Sequence, residues 1–233
     1  MTLYGIRIET AESSSQITVA DSDIFSVHYY RSYGVYIGTL QTAACAAIST
    51  SNITAFCCDS GVTGCASCGN NHYGVYTGYQ KTSSTLSLSR STVTVRGTYA
   101  YAIYRYSSTD SVLNVYDNVL DAASSSTSYS RAYGIYFSSS TSQLLATVSQ
   151  NKFIVPKGYL VRFYSSSYNS KFVMYGNIFH TYYYLSYNTP YTSSGNTVFS
   201  GCNVGSTGSS LSMPSSTAMT RSCTNAVPYQ ACG

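Results

Sequence analysis

The side chains able to do acid–base or nucleophilic chemistry are few. The acids are Glu9, Glu12, Asp21, Asp23, Asp59, Asp110, Asp117 and Asp121, and the histidines are His28, His72 and His180. Glycoside hydrolysis needs two carboxyl groups about 5–10 Å apart across a groove. Asp21 with Asp23, and Asp117 with Asp121, are the pairs to weigh. A Ser–His–Asp set needs a serine beside a histidine, and with 43 serines in the chain that condition discriminates nothing. There is no Gly-x-Ser-x-Gly elbow, no P-loop and no dinucleotide fingerprint between a strand and a helix.

Cysteine is the other reactive type, at Cys45, Cys57, Cys58, Cys65, Cys68, Cys202, Cys223 and Cys232. In a charge-poor chain rich in Ser, Thr and Tyr, eight cysteines predict disulfides and an oxidising compartment, hence an extracellular or cell-surface location. The rival is a metal site, since Cys65 and Cys68 have ligand spacing and Cys57, Cys58 and His72 are near. Adjacent cysteines rarely chelate one zinc together, so disulfides are the better reading and no metal or cofactor is expected. Five of the eight fall between Cys45 and Cys68, and three in the C-terminal tail. Both counts are odd, which leaves one thiol in each group to pair across the chain or between subunits. No secretory signal is visible, so either a leader has been removed or the chain is a fragment.

A repeat supplies the elements that must position these groups. The phrase Tyr4-Gly-Ile recurs as Tyr33-Gly-Val, Tyr73-Gly-Val, Tyr101-Ala-Ile, Tyr133-Gly-Ile and Tyr159-Leu-Val. A second block follows each at 17 or 18 residues, centred on Ser22, Ser51, Ser91, Asn118, Asn151 and Asn177. Five before each centre stand Ile17, Ala46, Leu86, Leu113, Ala146 and Phe172; three before, Val19, Ile48, Leu88, Val115, Val148 and Met174. Two after come Ile24, Ile53, Val93, Leu120, Phe153 and Phe179. Apolar residues two apart mean a strand with one buried face, and the polar pair at each centre means a tight turn. The Tyr-Gly phrase is a third strand, with Ile6, Val35, Val75, Ile103, Ile135 and Val161 inward. A degraded seventh unit runs from Tyr184 to Phe199, and residues 201–233 leave the pattern as a Cys-containing tail.

Each unit resembles a coil of the right-handed parallel β-helix, the fold shared by pectate lyases and many surface and phage-tail proteins. The resemblance covers about residues 3–200. It rests on the Tyr-Gly phrase, the three-strand period and the turn asparagines Asn118, Asn151, Asn177 and Asn196. It implies an all-β, single-stranded right-handed β-solenoid of about six to seven coils, with those asparagines stacked as a ladder. Residues 1–200 form this domain, with a Cys-rich loop inserted at 57–72 and a second, Ser-rich insertion at 122–131.

Lyases and hydrolases of that family gather acidic and basic residues on one face. Here coil register sets Thr50 and Asn52 beside Asp21 and Asp23, and Arg90, Thr94, Gln150 and Ile154 beside Asp117 and Asp121. No two carboxylates stack on adjacent coils, so no catalytic residues are assigned and no enzyme is expected.

The surface carries two further signals. Tyr36, Tyr76, Tyr104 and Tyr136 occupy one outward register position and predict a column of rings, either packing one another or stacking on sugars. Asn52 heads the sequon Asn52-Ile-Thr54 and, with Ile53 inward, points outward as a glycosylation candidate. Charged residues are 9% and the net charge is +4, too thin for a nucleic-acid footprint. No apolar run is long enough to span a membrane as a helix. The expectation is an extracellular structural or adhesive solenoid, a homo-oligomer joined head to tail in a filament or sheath. The alternative is a glycan-binding or glycan-cleaving β-helix, related to phage tailspikes or polysaccharide lyases.

Overall fold

The computed structural model describes residues 2–57, 71–125, 131–139, 141–156, 158–164 and 167–180, and the short stretches 185–186, 197–201, 204–205, 211–212 and 218–220. Every regular element among them is a β-strand. Coil one consists of Leu3–Ala11, Gln16–Ala20 and Asp23–Val27, and coil two of Arg31–Leu40, Cys45–Ser49 and Asn52–Phe56. Coil three is Asn71–Gln80, Thr85–Ser89 and Thr92–Gly97; coil four is Tyr99–Thr109, Val112–Tyr116 and Val119–Ser124. Coil five is Ala132–Phe137, Leu145–Ser149 and Lys152–Ile154; coil six is Gly158–Phe163, Lys171–Tyr175 and Ile178–His180.

Equivalent strands of successive coils pair in parallel, which builds three parallel sheets and makes the chain a β-solenoid with three strands per coil. Six first strands, joined by five turns, follow one another across the first sheet, close to the six to seven coils expected from the repeat. The register matches the sequence columns. Ile17, Ala46, Leu86, Leu113, Ala146 and Phe172 pair in order, as do Val19 through Met174 and Ile24 through Phe179. Ile6, Val35, Val75, Ile103, Ile135 and Val161 form the fourth inward column. These columns are one continuous buried cluster.

Two columns of left-handed residues turn the corners of each coil. Asp21, Thr50, Arg90, Asp117, Gln150 and Gly176 have φ between 47° and 63° and join the second strand to the third. Ser14, Ala43, Ser83, Asp110, Gln143 and Asn169, with φ between 43° and 60°, join the first to the second. Only the first of these corners was legible as a polar break in the alternation. The residue after it carries the ladder. Asn118 Nδ2 donates to Asn151 Oδ1 at 2.9 Å, and Asn151 Nδ2 to Asn177 Oδ1 at 3.0 Å. Each amide also reaches a carbonyl of the coil before it: Asn118 that of Leu88, Asn151 that of Val115, Asn177 that of Val148. Ser91 and Ser51 continue the line with hydroxyls that accept or donate in the same places.

Three details differ from the sequence reading. Ala122 is fully buried and Ala122–Ser124 complete the third strand of coil four, so the Ser-rich insertion starts later than residue 122. Likewise Asn71 and His72 already belong to the first strand of coil three, which shortens the Cys-rich insertion. Parallel pairing also runs beyond residue 200: Val204–Gly205 adds to the third sheet and Ala218–Thr220 to the second. Asn196 lies outside the described residues. The described strand Thr197–Gly201 pairs with Lys171–Tyr175 in the second sheet.

The Asn ladder yields a measurable expectation. Asn151→Ala strips partners from buried groups on both neighbouring coils, and should cost about 3 kcal/mol of stability. Chemical unfolding of the variant beside Asn151→Ser checks this; serine, which serves at Ser91, should recover part of the loss.

Candidate functional site

The outer face of the first sheet holds two tyrosine columns rather than one. Tyr36, Tyr76, Tyr104 and Tyr136 stack with ring centroids 5.1–5.3 Å apart. Beside them Tyr4, Tyr33, Tyr73, Tyr101, Tyr133 and Tyr159 stack at 4.7–5.6 Å. Rings of the two columns meet edge to face, as at Tyr33–Tyr36 (5.3 Å) and Tyr133–Tyr136 (4.9 Å). Each such pair contributes about 0.5–1.5 kcal/mol beyond area burial. The row expected to stand exposed is therefore half-covered: Tyr36, Tyr76 and Tyr104 are partly buried and Tyr136 is buried.

Residues three apart on a regular strand point to opposite faces. Tyr33 and Tyr36 share a face because Gly34 and Val35 between them both point inward at a bend. A Cβ on Gly34 would strike Ile53 Cγ2 and the Gly74 carbonyl oxygen of the next coil, so glycine fits there, while Ala102 and Leu160 fill the same position in coils four and six. The same close approach holds at Gly5, Gly74 and Gly134, and the recurrence of Gly next to Tyr could have signalled it.

Arginine closes the column of Tyr36 to Tyr136 at both ends. Arg7 and Arg162 occupy the register position of Tyr36 and Tyr136 in coils one and six. Arg7 lies 4.9 Å from the Tyr4 ring centroid and pairs with Glu9. Arg162 lies 4.9 Å from the Tyr159 ring and donates from Nη1 to the Tyr133 hydroxyl at 3.1 Å. Burial pushes the phenol of Tyr33 up to about 12. The phenols of Tyr73, Tyr76, Tyr101, Tyr104, Tyr133 and Tyr136 are raised for the same reason.

The carboxylates are dispersed in structural tasks. Asp21 Oδ1 accepts from Thr50 Oγ1 at 2.5 Å across the corner of two coils. Asp121 Oδ2 accepts from Arg96 Nη2 at 2.6 Å. Asp117 and Asp110 are left-handed corner residues, and Asp23 is exposed. His28 Nδ1 accepts from the backbone N–H of Tyr30 and Arg31, and His180 is exposed on coil six. His72 is buried, its Nδ1 2.7 Å from Ser32 Oγ. Cys45 and Cys57 stand in coil two and at its end, and neither is a free thiol. Cys58, Cys65, Cys68, Cys202, Cys223 and Cys232, like Asp59, lie outside the described residues. Asn52 is exposed beside fully buried Ile53. A shallow groove of about 530 Å³ crosses the outer face of the second sheet, lined by Gln16, Thr18, Arg90, Tyr116 and Asp117 among others. Among the described residues, no helix is long and apolar enough to cross a membrane.

No protein-family model matches the chain, and no curated protein or solved structure matches it.

A phenol held above its ordinary value favours the neutral form in the folded chain. Its contribution is whole below the unfolded value of about 10 and is lost as pH rises from there through the folded value. Tyrosinate absorbance should therefore show a group of phenols ionising well above pH 10, and strand circular dichroism should fall as they do. Ionisation of all 26 tyrosines near the ordinary value with the fold intact would contradict this.

Proposed function

We propose that this β-solenoid is an extracellular structural or adhesive protein whose copies associate end to end in a surface filament or sheath. The edge of coil one carries the proposal. Ile6, Ile8 and Ile17 there are only partly buried, whereas their partners Val35, Ile37 and Ala46 in coil two are at most 1% exposed. Among the described residues the strands of coil one pair on one side only. A parallel edge with an open apolar interior invites further strands. A second copy offers the same repeat, and a contact between unlike ends extends without closing. The cysteines support an oxidising, extracellular setting, and their odd counts suit a disulfide across the junction. The tyrosine columns and Asn ladder fit the structural role, since both are interactions that lengthen with added coils.

The groove on the second sheet favours a second reading. Tyr116, Arg90, Asp117 and Gln16 offer the ring face and polar groups that a neutral glycan would use. In this reading the solenoid binds glycans at that face, without cleaving them.

Light scattering and negative-stain microscopy test the assembly. Wild type should form elongated particles, and Ile6→Lys combined with Ile17→Lys should give single chains with unchanged circular dichroism. A wild-type protein that stays a single chain at all concentrations in oxidising buffer overturns the proposal. For the second reading, a glycan array should show binding lost on Tyr116→Ala. Reducing-end release or unsaturated-uronate absorbance that vanishes on Asp117→Ala or Asp121→Ala would show instead that the solenoid is an enzyme.

A further inference from the structure

The inward column through Ile37 has one member of the wrong kind. Ile8, Ile37, Thr77, Arg105, Phe137 and Phe163 follow one another there, and Arg105 is 0% exposed. Its Nη2 donates to Ser111 Oγ at 2.6 Å, while Nε and Nη1 make no hydrogen bond among the described residues. An isolated ion in an apolar interior costs many kcal/mol, and the usual answer is a paired carboxylate. None is present among the described residues: burial alone pulls the guanidinium down, to about 9, with no acid acting on it. Asp110, the nearest acid in sequence, is exposed at the corner. An arginine guanidinium stays protonated at neutral pH.

Its surroundings are equally unusual. Thr77 is the register neighbour of Arg105, and Gln80, Ser108 and Thr141 are register neighbours of one another. Ser84 sits one coil from Ser111, whose successor Val112 donates to the Ser84 carbonyl. All are at most 3% exposed. Thr77 Oγ1, Ser84 Oγ, Ser108 Oγ, Thr141 Oγ1 and both Gln80 side-chain atoms also lack a hydrogen-bond partner among the described residues. Native interiors leave only a few such groups per hundred residues. Here they fall at register positions of coils three to five near the junction of the first and second sheets, the same stretch that carries the buried Arg105.

We infer that this corner is an internal binding site for a small monovalent anion of the chloride class, held by Arg105 and the surrounding hydroxyls. One positive charge calls for one negative charge. Full burial between coils about 4.8 Å apart excludes a phosphate or an organic acid and leaves only a small ion to be considered. The remaining donors are the Arg105 Nε–H and Nη1–H groups, the Gln80 amide and four hydroxyls, which suits an ion that accepts hydrogen bonds in any direction. Gln80 Oε1 is left to accept from one of those hydroxyls. The site forms only when three coils have stacked, so the ion enters with folding.

Two measurements decide. The full chain is unfolded, refolded in bromide and crystallised, and anomalous scattering is collected; a bromide peak beside the Arg105 guanidinium is expected. Separately, the Tm of wild type should climb with chloride at constant ionic strength set by gluconate. Above the dissociation constant, each tenfold rise stabilises by about 1.4 kcal/mol. Arg105→Met, which continues an otherwise largely apolar column, should fold and lose that dependence. Water alone at the guanidinium in the bromide crystals, or the same chloride response in wild type and Arg105→Met, overturns the inference. Should the variant fail to fold, the bromide map decides alone.

Discussion

In-register parallel pairing of each coil on the next is the constraint from which the remaining structure follows. It sets equivalent residues about 4.8 Å apart along the solenoid. A side chain then meets its own counterpart before anything else, so the residues that succeed are those that pack or bond with themselves. Branched apolar residues do so inside. Asparagine does so at the turn, because its amide both donates and accepts. Tyrosine does so outside, since ring spacings of 4.7–5.6 Å nearly equal the strand spacing. Like charges at that spacing repel, which accounts physically for a chain with 9% charged residues.

The same constraint shapes what chemistry the molecule can offer. Stacking turns single residues into lines of identical groups. A catalytic centre needs unlike groups converging on one point, and the acids described here answer instead to Thr50, Arg96 and the corner turns. Lines suit lattices, assemblies and extended ligands. The breaks in the lines are therefore the informative places. Arg7 and Arg162 interrupt a tyrosine column at its two ends, where a cation over a ring face takes the place of the next ring. Arg105 interrupts an apolar column in the middle, where no carboxylate among the described residues meets it.

Much of the fold was legible because the strand period is two and the coil offset nearly constant. The near-constant distance from Tyr4, Tyr33 and Tyr73 to Ser22, Ser51 and Ser91 fixes which strand lies over which, and Ile17, Ala46 and Leu86 then line up without further information. Asn118, Asn151 and Asn177 were legible for the same reason.

Sequence alone thus determined the all-β class, the coil period, four inward columns and the ladder, because each is a local pattern repeated. Only the tertiary structure decided what happens where alternation stops. At Gly34 two successive residues face inward, which brings Tyr33 onto the side of Tyr36 and turns one column of rings into two. At the opposite corner Ser83 and Asp110 take left-handed φ with no shared residue type to announce it. There too the chain carries Arg105 inside, among Thr77, Ser108 and Ser111. Arg105 stands two residues after inward Ile103, so the strand alternation carries it inside, and the tertiary structure shows that its charge does not turn it out.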